Sequence, residues 1–272
     1  MIGAIFRAAL CLGVLAGAAL AQDSGKRRLT DRDDLYGWEA IGRLDIGTRS
    51  FCTGTLIAQD LVLTAAHCAM DRTTGQAYAP GEVTFRAGLS NGHALAERKV
   101  VQIAAHPDYN PKAGLSPESV RADVALMRLD EPVPYGIANP FALHSGRVAG
   151  NEISIASYGR GRSEAITRER SCRILERRQG LITFNCDITF GSSGSAILAR
   201  NGPRWQILSV VSAVGNDGRG KIGFGMELSG IVSELKAIMR RDAPRPKASI
   251  KRLQVGSGKS GSGAKFIRPG GS

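Results

Sequence analysis

The 272-residue sequence is short of aromatics, at 6%, and has only five cysteines and four histidines. None of these fall in a C-x-x-C or H-E-x-x-H spacing, so the usual zinc patterns are missing and no metal or other cofactor is expected. Long hydrophobic runs are absent too. The longest, Ala8 to Leu20, is shorter than the roughly 20 residues needed to cross a bilayer, so no membrane span is expected. Acidic residues are nearly missing from the C-terminal end, where Asp242 is the one anion among nine cations from Arg240 onward. Helical periodicity is rare and there is no internal repeat.

The opening MIGAIFRAALCLGVLAGAALA has one cation, an apolar stretch and an Ala-Leu-Ala step before Gln22. Residues 1–21 therefore read as a secretory signal, with export to the medium or a periplasm. Residues 22–34 are a pro-segment or a mobile terminus, with Arg27-Arg28 as a dibasic cleavage point. Cys11 falls inside the signal. That leaves Cys52, Cys68, Cys172 and Cys186, an even set bound for an oxidising compartment, so two disulfides are expected. Three pairings are open. The near-local one, Cys52 with Cys68 and Cys172 with Cys186, closes separations of 16 and 14 residues. Loops near 15 residues each stabilise by about 3 kcal/mol on the chain-entropy estimate.

The net charge of +12 would suggest a nucleic-acid binder if it were spread over a folded face. Most of it sits in residues 241–272, rich in Gly, Ser, Pro and Lys, which bury too little apolar surface to offset their ordering entropy. This basic tail is expected to be disordered, with electrostatic contact to anionic surfaces as its functional reading.

Between signal and tail, residues 35–240 carry short β-type runs: GTLIA (54–58), LVLTA (61–65), VTFRAG (83–88), KVVQIAA (99–105), DVALMRL (123–129), EISIASY (152–158), CRILER (172–177), LITFNC (181–186), SAILAR (195–200) and WQILSVVSA (205–213). Gly, Pro, Asn or Asp punctuates nearly every gap, which predicts two packed β units joined near residues 131–146. One amphipathic helix follows, with Ser229 as N-cap and Ile231, Val232, Leu235, Ile238 and Met239 on one face. His93, His106 and His144 read as loop surface, and Trp38 and Trp205 as core.

Three short motifs carry chemistry. In VLTAAHC (62–68) two alanines leave room around His67, and Cys68 can staple the turn, so the imidazole is held rather than swinging. Asp123 heads DVALMRL at the edge of a core, where a carboxylate can fix a histidine tautomer. TFGSSGSAIL (189–198) places Ser193 between glycines that let the backbone aim amides at a substrate carbonyl. A G-x-S-x-G elbow centred on Ser193 fails, because position 195 is Ser.

In the order His, Asp, Ser, these motifs resemble the chymotrypsin-like serine peptidase family over residues 36–240, and TGTLIAQDLVLTAAHC (53–68) is the strongest match. The GSSGS form resembles the bacterial secreted branch that includes glutamyl endopeptidases. The resemblance implies an all-β fold of two packed six-stranded antiparallel β-barrels with a C-terminal α-helix. It implies His67 as base, Asp123 as its orienting partner, Ser193 as nucleophile, and the Gly191 and Ser193 amides as oxyanion hole. Protein or peptide substrates and a monomeric enzyme follow from it. Ser192 departs from the digestive members, which carry Asp there to meet a cleaved N-terminus, so that activation route is not expected. Asp187, six residues before Ser193, matches the trypsin spacing for a basic P1 side chain, with Ser212 and Val214 as further pocket residues. Two other classes stay open: a silent peptidase-fold binding module, and a nucleic-acid binder working through the tail.

Overall fold

The computed structural model describes residues 25–243 except Arg49, Arg72, Pro80, Arg147 and Arg219. Residues 1–21, read above as a secretory signal, residues 22–24 and the tail from residue 244 lie outside the described residues. Elements run β1 (Lys26–Arg28), α1 (Arg32–Leu35), β2 (Ile41–Ile46), β3 (Ser50–Ala58), β4 (Leu61–Thr64), β5 (Val83–Ala87), β6 (Ala96–Ala105), α2 (Pro117–Ala122) and β7 (Ala125–Leu129). There follow β8 (Glu152–Gly159), β9 (Arg162–Arg178), β10 (Leu181–Phe184), β11 (Ala196–Asn201), β12 (Arg204–Asn216), β13 (Lys221–Met226) and α3 (Ile231–Arg241).

Two antiparallel six-stranded barrels result. The first closes in the order β2-β3-β4-β7-β6-β5; the second runs β8-β9-β10-β13-β12-β11 and returns to β8. The first barrel closes because β2 pairs with both β3 and β5. In β2, Ile41, Leu44 and Ile46 are buried while Arg43 and Asp45 are only half-buried. All four residues of β4, LVLT, are buried, as suits a strand covered on both faces. The chain between Leu129 and Glu152 crosses from one barrel to the other.

Several features depart from the sequence reading. Lys26–Arg28, in the stretch read as pro-segment or mobile terminus, add a seventh strand outside the second barrel through pairs such as Lys26 with Glu169 and Arg28 with Thr167. Leu29 behind it is 3% exposed. Asp123 does not head a strand; it caps the C-terminal end of α2, and β7 begins at Ala125. The start of α3 is capped by Gly230 at φ 84° and not by Ser229, because the chain enters the helix through a left-handed turn that only glycine adopts freely. From α3, Val232, Leu235 and Met239 are buried, and the Met239 carbonyl accepts from Gln102 Nε2 of β6 at 2.8 Å.

The disulfides are Cys52–Cys68 and Cys172–Cys186. The first joins β3 to the 3₁₀ turn Ala66–Cys68 that carries His67. Trp38 is 8% exposed and faces Phe141 at a ring separation of 6.0 Å. The Arg168 guanidinium stacks on Trp38 at 4.2 Å and on Trp205 at 5.3 Å, so the core indole of Trp38 and the partly buried indole of Trp205 share one cation. Among the described residues no helix is long and apolar enough to cross a membrane.

Candidate active site

His67 sits where β4 ends in a single 3₁₀ turn flanked by buried alanines. Its backbone amide donates to Asp123 Oδ1 at 2.8 Å, and its Nδ1 lies 2.7 Å from Asp123 Oδ2. The same Oδ2 accepts from Ser212 Oγ at 2.6 Å. Asp123 is 4% exposed, so its charge is held in a dry site by three donors. A proton on Nδ1 is thereby favoured, and Nε2 is left as the basic nitrogen.

Ser193 and Gly191 line the same cleft as His67 and Asp123, a hollow of about 820 Å³. The serine loop is bent by glycines at φ 91° (Gly191) and φ 78° (Gly194). Both approaches are close. A methyl group on Gly191 would strike the Phe51 ring, and one on Gly194 would strike Thr64 Oγ1 and the Thr53 carbonyl. The Thr53 amide donates to the Ser193 carbonyl at 2.9 Å and its hydroxyl to the Gly191 carbonyl at 2.8 Å. Gly194 N donates to Val211 O of β12 at 2.9 Å. The Phe190 carbonyl accepts from Arg160 N at 2.7 Å, which turns the Gly191 N–H of the same planar peptide away from Arg160. Among the described residues neither the Gly191 nor the Ser193 amide donates to a protein oxygen.

The cleft also gathers Ser212 and Val214, with Phe190, Leu115 and Lys221 around its rim. Asp187, which the trypsin spacing expects in the pocket, is not among the residues that line it. The carboxylate forms an ion pair with Lys26 Nζ of β1 and lies 3.1 Å from Lys221 Nζ of β13. The hydrogen bond from Lys26, aided by Lys221 and opposed by partial burial, holds its carboxyl below the usual aspartate range. Ser212 has a role that sequence reasoning missed: its hydroxyl is committed to Asp123, across 89 residues. Thr53 and Arg162, which bind the serine loop from elsewhere, were missed as well, since each contact is long-range.

Cys52, His67 and Cys68 bring ligand atoms within 4.8 Å of one another. Both sulfurs are in the disulfide, so the group offers one nitrogen and does not suit a metal. A second hollow of about 650 Å³, lined by residues such as Arg32, Tyr36 and Ile137, holds neither histidine nor serine.

Two closed barrels with a histidine, a carboxylate and a glycine-flanked serine at one cleft define a chymotrypsin-like fold. The Trypsin family model matches residues 30–233, and the chain belongs to that family. It is 27% identical over 231 residues to serine protease 23 of Rattus norvegicus, covering 70% of this chain and 57% of that protein. It is 33% identical over 129 residues to serine protease 56 of Homo sapiens, covering 45% of this chain and 19% of that protein. The chain thus spans little more than half, or less, of these relatives. A solved structure of a Glu endopeptidase in complex with MPD superposes with a TM-score of 0.65 at 21% identity, covering 81% of this chain and 98% of that one. That likeness is one of fold.

Proposed function

We propose that this chain is a secreted serine endopeptidase acting through an acyl-enzyme on Ser193. His67 Nε2 takes the Ser193 proton as the hydroxyl attacks a peptide carbonyl, and returns it to the leaving amine. Asp123 holds the ring and balances the imidazolium charge. The free Gly191 and Ser193 amides receive the oxyanion, a role in which one donor is typically worth about 10² to 10³ in rate. One observation carries the reading: the Ser212–Asp123–His67 bond chain ends at the cleft that Ser193 lines. Two disulfides support an oxidising compartment.

No preference for basic P1 residues belongs to this proposal. The cleft lining includes Lys221 and not Asp187, alongside apolar Val214 and Phe190. A fluorophosphonate probe is expected to label the wild type and not Ser193→Ala, with casein turnover lost in parallel. Equal labelling of both proteins would overturn Ser193 as the nucleophile, and labelling of neither would leave a silent binding module as the better reading.

A further inference from the structure

The nucleophile loop is gripped from below by the tip of the β8–β9 hairpin, and the grip centres on one guanidinium. Arg162 opens β9 and is half-buried. Its Nη1 donates to the Ser157 carbonyl and hydroxyl, both at 3.1 Å. Its Nη2 donates to Ser192 Oγ at 3.2 Å and to the Asp187 carbonyl at 3.4 Å. Among the described residues it has no carboxylate ion-pair partner, so the fork is held by neutral oxygens on two sides of the loop. Ser192 is 0% exposed, and its hydroxyl also receives Thr189 N at 3.3 Å and Ser157 Oγ at 3.2 Å.

The neighbouring residues show that the space was shaped for this side chain. Gly159 pairs with Arg162 across the hairpin, and a methyl there would sit 2.7 Å from Thr189 Cγ2 and 3.0 Å from Arg162 Nε. Next to Gly159, Arg160 N holds the Phe190 carbonyl and its guanidinium covers the Phe190 ring at 4.3 Å. Arg160 and Arg162 thus hold alternate residues of the loop, Phe190 and Ser192, and between and beyond them lie the amides of Gly191 and Ser193. Burial lowers the Arg162 pKa from its ordinary value, opposed in part by the charges of Asp187 and Glu169.

We infer that Arg162 is a positioning residue for the oxyanion hole: its forked contacts to Ser192 and Asp187 hold the 189–194 loop with the Gly191 and Ser193 amides presented to the cleft. This rests on the endopeptidase reading above. An arginine suits the task because its planar fork reaches two acceptors at once, whereas a lysine supplies a single point of contact.

The test compares wild type, Arg162→Ala and Arg162→Lys in the full chain, with kcat expressed per fluorophosphonate-titrated site and with affinity for a peptide aldehyde whose hemiacetal oxygen occupies the oxyanion position. The expected result is a fall in kcat of about 10- to 100-fold in Arg162→Ala with KM nearly unchanged, and an equal fall in aldehyde affinity. Ethylguanidinium should restore part of it, and Arg162→Lys should fall between. A role in folding alone would lower the number of titrated sites and leave kcat per site intact, and that outcome overturns the inference. If Arg162→Ala does not fold, Arg162→Lys decides by the same two readouts. A wild type that the probe does not label sinks the endopeptidase reading and this inference together. A labelled wild type with unchanged Arg162 variants sinks the inference alone.

Discussion

The Thr53 side chain of β3, in the first barrel, donates to the carbonyl of Gly191 in the second at 2.8 Å, across 138 residues of sequence. Its oxygen also accepts from Tyr158 N at 3.0 Å, and its own carbonyl accepts from Thr64 Oγ1 at 2.9 Å. Thr53 is 0% exposed, so every one of these groups would be an orphan without its partner. Thr53→Val keeps the shape and removes the hydroxyl. It leaves one buried acceptor and one buried donor unpaired, and each such loss typically costs about 1 to 3 kcal/mol. The expected outcome is a urea midpoint lowered accordingly, with kcat falling further than KM rises because the released carbonyl belongs to the serine loop. An unchanged midpoint would mean that the hydroxyl does not bridge the barrels.

Asp123 and Ser212 should separate in magnitude. Asp123→Asn presents an amide where Oδ2 now accepts from His67, which favours the wrong tautomer. The expected loss is about 10⁴ in kcat with little change in fold. Ser212→Ala removes one donor, at 2.6 Å, and leaves the carboxylate its two bonds to His67. A hydrogen bond to a charged group is worth about 1.5 to 3 kcal/mol, so a loss of roughly ten- to a hundredfold is expected. Steady-state kinetics on both variants checks the ranking, and a Ser212→Ala loss as deep as that of Asp123→Asn would contradict it.

The parts that were legible in the sequence are the local ones. VLTAAHC keeps histidine, small neighbours and staple within seven residues, and GSSGS keeps the candidate serine and its bending glycines within five. Short apolar and β-branched runs such as LVLT and VTFRA marked strands because nearly every residue in them is buried. β13 escaped notice because KIGFGM carries glycines that weaken a strand pattern. Their cause is tertiary: a methyl on Gly223 would strike the Phe184 ring, and one on Gly225 would meet Ser209 Oγ and the Val210 carbonyl. The partners of Asp187 were hidden for a related reason. Its spacing to Ser193 was visible, but its direction is set by Lys26, 161 residues away in sequence. Ser212 to Asp123 and Arg162 to Ser192 are likewise pairings that only the closed barrels create.

Two glycines with similar backbone angles should respond very differently to alanine. Gly194 has φ 78° and Gly202 φ 59°, so both bear the left-handed penalty of about 1 to 2 kcal/mol for a side chain. Around Gly202 nothing lies within 4 Å, whereas at Gly194 a methyl would overlap Thr64 Oγ1 and the Thr53 carbonyl and come within 3.0 Å of Ala65 N. Gly202→Ala should therefore lose only the backbone penalty and keep full activity per titrated site. Gly194→Ala should lose several kcal/mol more, with its labelling by the probe abolished. Comparable chemical denaturation curves for the two variants would show that the close approach at Gly194 is not required.

Asp187 allows a prediction in which pH provides the control. Its folded pKa is lowered, first by the Lys26 hydrogen bond and then by Lys221. The carboxylate therefore stabilises the fold above the ordinary aspartate value near 4, and this contribution is lost as pH falls through the lower folded value. With the side chain 47% exposed, solvent screening limits it to about 1 kcal/mol or less. Asp187→Asn should be slightly less stable than wild type at pH 7, and the gap should close as pH drops well below 4, where the wild-type carboxyl is protonated as well. The same pair of proteins tests the pocket. Because Asp187 lies outside the cleft lining and its carboxylate is taken up by the ammonium groups of Lys26 and Lys221, a peptide library should show no selective loss of Lys or Arg cleavage in the variant. A selective loss of basic P1 turnover would mean that Asp187 leaves Lys26 to meet the substrate, and the assignment of its charge to β1 and β13 would fall.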